Sequence, residues 1–336
     1  MEKALRRHLS QAHGMTLAVD AVTLIPLRGE GKVESRVDRL YASLLAPQVP
    51  HWRKAVRQAD LVLVATHSQG TPVSTLLLDR LIGEGMVEPT RQRIGLLAMA
   101  GISHGPFPYL RGNVIVKYFE AEAARELFDF MRSDSQVSRM YREAMHRILA
   151  HGVKVVGMAS MADQVVPLYS ATMFGFSHPS LLRAVYVDGH DYRPDFLTHL
   201  ITFLLRVRNH GIPDHGLAVH LSEVLAGSLY SGTQGHSTIY EDLGPYTLAI
   251  RWVLESPWVS PHPIAPELQA FGVSGQLNPY YLPWILRGIL EDPRLRKNSS
   301  LVREVEGLKD LFDGWEPTSR AMRDLKFRLE PIRARL

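Results

Sequence analysis

Apolar residues in this chain fall into short unbroken runs and into longer stripes at helical spacing, and the two kinds alternate. Residues 61–65, 94–100, 153–159 and 183–187 are apolar runs too short for core helices, and they read as buried strands. Residues 21–27 read as another strand, which leaves through the turn Arg28-Gly29-Glu30-Gly31. Between the runs lie the stripes. Residues 2–11 place Ala4, Leu5, His8 and Leu9 on one helix face, and Val33, Val37, Leu40 and Leu44 follow at 4-3-4 spacing. Further helices are predicted from the 68–70 turn to about 83 and over 116–131, 135–151 and 195–208. Strands that are apolar throughout and alternate with helices predict an α/β class: a mostly parallel sheet with helices on both faces. After Asn209 the alternation gives way to helices and loops. Residues 256–278 read as a Pro-rich connector, and 279–336 as a helical extension with helices over 279–290, 300–312 and 318–329.

Composition narrows this picture. A chain of 336 residues suffices for one large α/β domain with an appendage. The absence of cysteine excludes disulfides, thiolate metal sites and a Cys nucleophile. It fits a reducing compartment, so a cytoplasmic location is expected. The net charge of +4 is mild and traces to residues 320–335; without a basic–aromatic pattern, nucleic acid is not an expected partner. No apolar run approaches the roughly 18 residues of a membrane span, and residues 1–15 lack the apolar core of a secretory signal. There is no paired-His protease motif, phosphate loop or dinucleotide fingerprint, so no cofactor is expected. His210, His215 and His220 recur every five residues, share no helix face and have no accompanying carboxylate. They read as structural, and no metal is expected.

The chemistry concentrates after the 61–65 run. Thr66-His67-Ser68-Gln69-Gly70 follows it, and then an apolar-periodic helix through Val73, Leu76, Leu77 and Leu81. A strand, a tight turn holding Ser and a helix make a nucleophile elbow. The turn lifts the Ser68 hydroxyl above the sheet and aims the Gln69 N–H at an incoming oxyanion. Strand and helix nearly touch there, so small residues are required; Gly70 meets that need, while Thr66 stands where Gly is usual. The orienting acid should follow a later strand. Asp163, in Ser160-Met161-Ala162-Asp163, is the candidate, with Asp188 as rival. Two histidines can supply the base: His190, directly after the last predicted strand, and His236, in the Gly-bounded stretch Gln234-Gly235-His236-Ser237.

Four segments carry a resemblance that covers nearly the whole chain: residues 27–37, Ala65-Thr66-His67-Ser68-Gln69-Gly70, residues 227–232 with 235–240, and Asn278-Pro279-Tyr280-Tyr281-Leu282-Pro283-Trp284. Together they resemble a fungal family of α/β-hydrolase-like proteins, similar at the elbow to serine esterases and lipases. The resemblance implies an α/β-hydrolase fold, which the sequence pattern bounds at about 1–255, with the helices of about 102–151 where hydrolases of this fold carry a cap over the site. It also favours His236 over His190 as the base. Proteins of this kind begin with an apolar strand ending in His-Gly, whose loop supplies a second oxyanion N–H. Here the chain opens on the helix that would follow, so the sheet is expected to lack that strand. His13-Gly14 reads instead as a helix end closed by glycine.

The expected function is therefore acyl transfer on a small-molecule or lipid ester by Ser68, His236 and Asp163. The loop Gly105-Pro106-Phe107-Pro108-Tyr109-Leu110 would give apolar lining. The competing reading is a non-catalytic protein that keeps the fold for scaffolding or binding at a membrane. Oligomeric state is not legible. Near the end, Met322, Leu325, Leu329, Ile332 and Leu336 form an apolar stripe flanked by Arg320, Arg323, Lys326, Arg328, Arg333 and Arg335. The stripe either packs on the body or docks peripherally on an anionic membrane, and Pro331 should end the regular helix.

Overall fold

The computed structural model describes residues 1–111, 121–187, 195–228, 236–271, 278–334 and 336. Its centre is a parallel four-stranded sheet of β1 (Leu61–His67), β2 (Arg93–Met99), β3 (Lys154–Ser160) and β5 (Leu181–Tyr186), in the order β1-β2-β3-β5. β1 and β2 pair from Leu61 opposite Arg93 to His67 opposite Met99, and β3 and β5 continue the same sense. Two-residue strands β4 (Phe176–Ser177) and β6 (Glu267–Leu268) pair antiparallel beside it. β6 gives the segment expected to be a plain connector a short pairing with β4.

Fourteen helices of the described residues surround the sheet. They are α1 (Glu2–His13), α2 (Val33–Leu44), α3 (Pro50–Gln58), α4 (Gly70–Gly83), α5 (Ala121–Asp129), α6 (Gln136–Ala150) and α7 (Leu168–Ala171), then α8 (Phe196–Asn209), α9 (Leu217–Ser228), α10 (Leu243–Glu255), α11 (Leu282–Leu290), α12 (Pro293–Arg296), α13 (Ser299–Asp313) and α14 (Arg320–Leu329). Alternation along β2 shows how they are layered. Leu96 and Ala98 enter the large core built with α2, α4, α6 and α8, while Leu97 and Met99 enter a smaller one under α10. α1 packs on the outside of α10 through Ala4 and Leu5. Both faces of β2 and β3 are thus covered, which is why their sequences show no polar alternation.

β1 departs from that pattern. Its apolar residues Leu61 to Val64 are only partly buried and Ala65 is exposed, because among the described residues no strand pairs with its outer edge. The same fact corrects the expectation for residues 21–27. Val19–Ala21 forms a 3-10 turn, Val22 is extended, and residues 22–27 join no ladder. Val22, like Leu61 and Leu63, packs against the small cluster of Ala4, Leu5 and Ile250, while Ile25 and Leu27, like Val62 and Val64, pack against the main core. The segment therefore has the two-sided apolar content of a strand, but among the described residues it forms no ladder with a neighbouring strand. The pattern also misses α3 altogether. That helix starts with proline in its first turn and buries no residue fully, offering only Trp52 and Val56 to the core.

α6 lies within the segment expected to form a cap, yet it packs against α4 and buries Tyr141, Met145 and Ile148 in the main core. Residues 112–120 of that segment lie outside the described residues. The C-terminal helices join the same core. Leu325, Leu329 and Ile332 are buried and Met322 and Leu336 partly so, against α9 and α11. α14 ends at Leu329 and Pro331 sits in the following 3-10 turn, as its missing N–H requires. Arg328 pairs with Asp324, and Arg333 with Asp313. No helix among the described residues is long and apolar enough to cross a membrane.

One buried histidine outside the site makes stability depend on pH. His104 stacks on Phe271 at 4.3 Å, and its Nε2 accepts the Gly175 N–H at 2.9 Å. Burial first, then Arg142 and Arg183, pushes its imidazolium down to about 3. A histidine held neutral in the fold is protonated first in the unfolded chain, so stability falls as pH drops below about 6.5 and keeps falling to about 3. At pH 5 that loss is about 2 kcal/mol relative to neutral pH. Denaturant melts at pH 7.5 and 5 check it. His104→Gln, which keeps a neutral acceptor, should show a drop smaller by about that amount.

Candidate active site

Ser68 follows β1 directly and has φ +54°, in the left-handed region that side chains with a Cβ avoid at about 1–2 kcal/mol. Three backbone hydrogen bonds hold it there. Its N–H donates to Met99 C=O at 3.0 Å, and its C=O accepts the N–H groups of Thr71 at 3.1 Å and Ile102 at 3.2 Å. The elbow is thus tied to the end of β2 and to the first turn of α4. Gln69 stands at the N-cap of α4, and among the described residues no hydrogen bond engages its N–H. That donor, at the positive end of a helix, is available to an oxygen arriving above Ser68.

The tight contact also explains Thr66. A Cβ on Gly70 would lie 2.4 Å from Thr66 Oγ1, so the threonine hydroxyl occupies the space that glycine at position 70 leaves open. Gly101, at the end of β2, is needed for the same reason: a Cβ there would lie 2.5 Å from Thr71 Oγ1. The helix start is wedged between two strand ends, and one glycine serves each contact.

Asp163 follows β3 and is 3% exposed. Its Oδ1 accepts the N–H groups of Val165 at 2.8 Å and Val166 at 2.9 Å, which fixes the carboxylate plane. Its Oδ2 meets His236 Nδ1 at 2.8 Å. An ionised carboxylate only accepts, so Nδ1 carries the proton and the neutral ring keeps a lone pair on Nε2. The structure thus brings together Asp163 and His236, 73 residues apart. Asp188 and His190 lie outside the described residues. His13 and Gly14 have no part in the site: Gly14, at φ +64°, closes α1 by bonding back to Ser10 C=O.

One residue of the site was not read from the sequence in a functional role. His67 Nε2 lies 2.7 Å from the backbone oxygen of His236, to which it donates, and the two rings sit 4.5 Å apart. Tyr240 closes on the same ring edge-on at 4.9 Å. Burial, then the neighbouring His236, lowers the His67 pKa, so it stays a neutral donor. It ties the residue before Ser68 to the backbone of His236. Nothing local marks this role, since the partner is a main-chain oxygen far along the chain. Among the described residues no hydrogen bond joins the Ser68 hydroxyl to His236. The 105–110 loop is stitched to the Asp163 turn: Phe107 N–H donates to Val165 C=O at 2.9 Å, and Tyr109 Oη to Gln164 C=O at 2.7 Å.

A parallel sheet layered by helices, with a strained Ser between one strand end and a helix start and an Asp–His pair beyond a later strand, defines an α/β-hydrolase domain. The chain belongs to the YMC0/YMC35 alpha/beta hydrolase domain family, whose model matches residues 1–293. No curated protein and no solved structure matches the chain.

Proposed function

We propose that this protein is a serine hydrolase acting on an ester or lipid ester, with Ser68 as nucleophile, His236 as general base and Asp163 as the group that orients it. The observation that carries the proposal is the pairing of Asp163 Oδ2 with His236 Nδ1 at 2.8 Å, on a histidine whose backbone is held by the residue preceding Ser68. In this mechanism Ser68 Oγ attacks the carbonyl carbon and its proton passes to His236 Nε2. The imidazolium is stabilised by Asp163, and the oxyanion takes the Gln69 N–H. Collapse expels the alcohol with the proton from Nε2, and water then releases the acid by the same steps in reverse. Phe107 and Tyr109, beside the Asp163 turn, suit an apolar acyl group. Any contact of α14 with an anionic membrane would run through its Arg side chains, since its apolar stripe is packed.

A fluorophosphonate probe tests the assignment. The intact chain should be labelled, and Ser68→Ala should abolish labelling while leaving the circular dichroism spectrum and melting temperature near those of the parent. Labelling that persists in the Ala variant removes Ser68 from the mechanism. A second reading, a non-catalytic binding protein, is favoured by one observation. β1 is the sheet edge, so no neighbouring strand end offers a second oxyanion donor among the described residues. A missing donor costs about 10²–10³ in rate. A folded chain that is never labelled supports that second reading.

A further inference from the structure

We infer that His8, His13 and Glu255 form a binding site for a divalent first-row cation of the zinc class, which joins α1 to α10. One ligand atom from each of the three side chains lies within 4.8 Å of the other two. His8 projects from the middle of α1 toward α10, and its side chain is only 6% exposed. His13 is the last residue of the same helix, where the left-handed Gly14 ends the last turn. Glu255 is the last residue of α10.

Two observations point to a ligand. The buried His8 Nε2 has no hydrogen-bond partner, a costly condition for a buried polar atom. That atom lies 3.4 Å from Glu255 Oε1. The separation is long for a hydrogen bond, but it matches the edge of a donor tetrahedron. Ligands about 2.0–2.1 Å from a zinc ion stand about 3.3–3.4 Å from one another. His13 supplies the third corner, its ring 5.4 Å from that of His8 and edge-on to it. With His13 and Glu255 exposed, the fourth corner opens to water. Two imidazoles and a carboxylate select zinc, cobalt or nickel over magnesium or calcium, which take all-oxygen sets.

One competitor is present. Arg251, one turn before Glu255, places Nε 3.2 and 3.1 Å from its two oxygens. Both side chains are well exposed, so this ion pair is weak, and a cation held by two imidazoles outcompetes it. The expected effect is mechanical. α10 packs on β2 and β3, and a metal bond to α1 would fasten the outermost helix to the layer beneath it. The site lies on elements other than those holding Ser68 and Asp163 and does not depend on the hydrolase assignment.

The test uses the full chain, freed of metal with a chelator and titrated with Zn²⁺ and Co²⁺ by calorimetry. One equivalent of each should bind, and Co²⁺ should give the visible absorption of a tetrahedral site. The melting temperature should rise with metal concentration. His13→Ala and Glu255→Gln, both at exposed positions and expected to fold, should each weaken binding by more than about 100-fold and lose the thermal shift. His8→Ala should abolish binding. A metal equivalent that keeps its affinity in His13→Ala and Glu255→Gln sits elsewhere among the histidines and overturns the inference. Absence of binding by the parent chain does so as well.

Discussion

Replacing His236 by alanine is expected to lower kcat on any turned-over ester by about 10⁴- to 10⁶-fold with little change in KM. The same replacement at His190 should cost less than about tenfold. The expectation rests on where Asp163 is committed. One of its oxygens takes two backbone N–H groups and the other takes His236 Nδ1, in a setting that water hardly reaches. For His190 to be the base, a different acid would have to orient it, and the buried Asp163–His236 pair would be structural only. Loss of His236 would then affect stability and leave turnover on the properly folded fraction intact. The rate of fluorophosphonate labelling, measured beside kcat and melting temperature, separates the two. A large rate loss in His190→Ala with normal labelling in His236→Ala moves the base to the end of β5.

Much of this was legible from residue order alone, and the reasons differ by element. β2 and β3 are buried on both faces, so their composition is apolar without interruption and their limits are clear. The elbow was legible because its geometry restricts residue size locally, and Gly70 shows that restriction. Thr66 looked like a departure from it, yet its hydroxyl uses the very space that Gly70 leaves. Residues 21–27 show the opposite limit. Their pattern is that of a strand, but a strand is defined by its neighbour, and β1 presents no ladder to them. The Asp163 carboxylate could be placed by its position after a buried run. Its two backbone donors and the His67 contact could not, because main-chain atoms carry no sequence signal. The site near His8 was not legible for a similar reason: His8 and His13 lie five residues apart on α1, and the third ligand, Glu255, comes from the far end of α10.

Asp163→Asn should reduce kcat by about 10⁴-fold while leaving the fold intact, and the hydrogen bonds already present say why. The amide that replaces the carboxylate has one accepting and one donating end. Val165 and Val166 both aim N–H groups at the Oδ1 position, at 2.8 and 2.9 Å. They admit only the carbonyl oxygen of Asn, since an NH₂ group there would face two donors in a buried turn. The NH₂ must then occupy the Oδ2 position and donate to His236 Nδ1, which has to be unprotonated to accept it. In a neutral imidazole the proton then moves to Nε2, the atom that must receive the Ser68 proton. The base is blocked by tautomer rather than by distance. Asp163→Ala removes this lock on the ring but leaves two buried N–H groups unpaired, so it should lower the melting temperature more than Asp163→Asn does. NMR of the imidazole nitrogens in the Asn variant should show the Nε2–H tautomer. A ring still protonated at Nδ1, with turnover near that of the parent, would remove Asp163 from the mechanism.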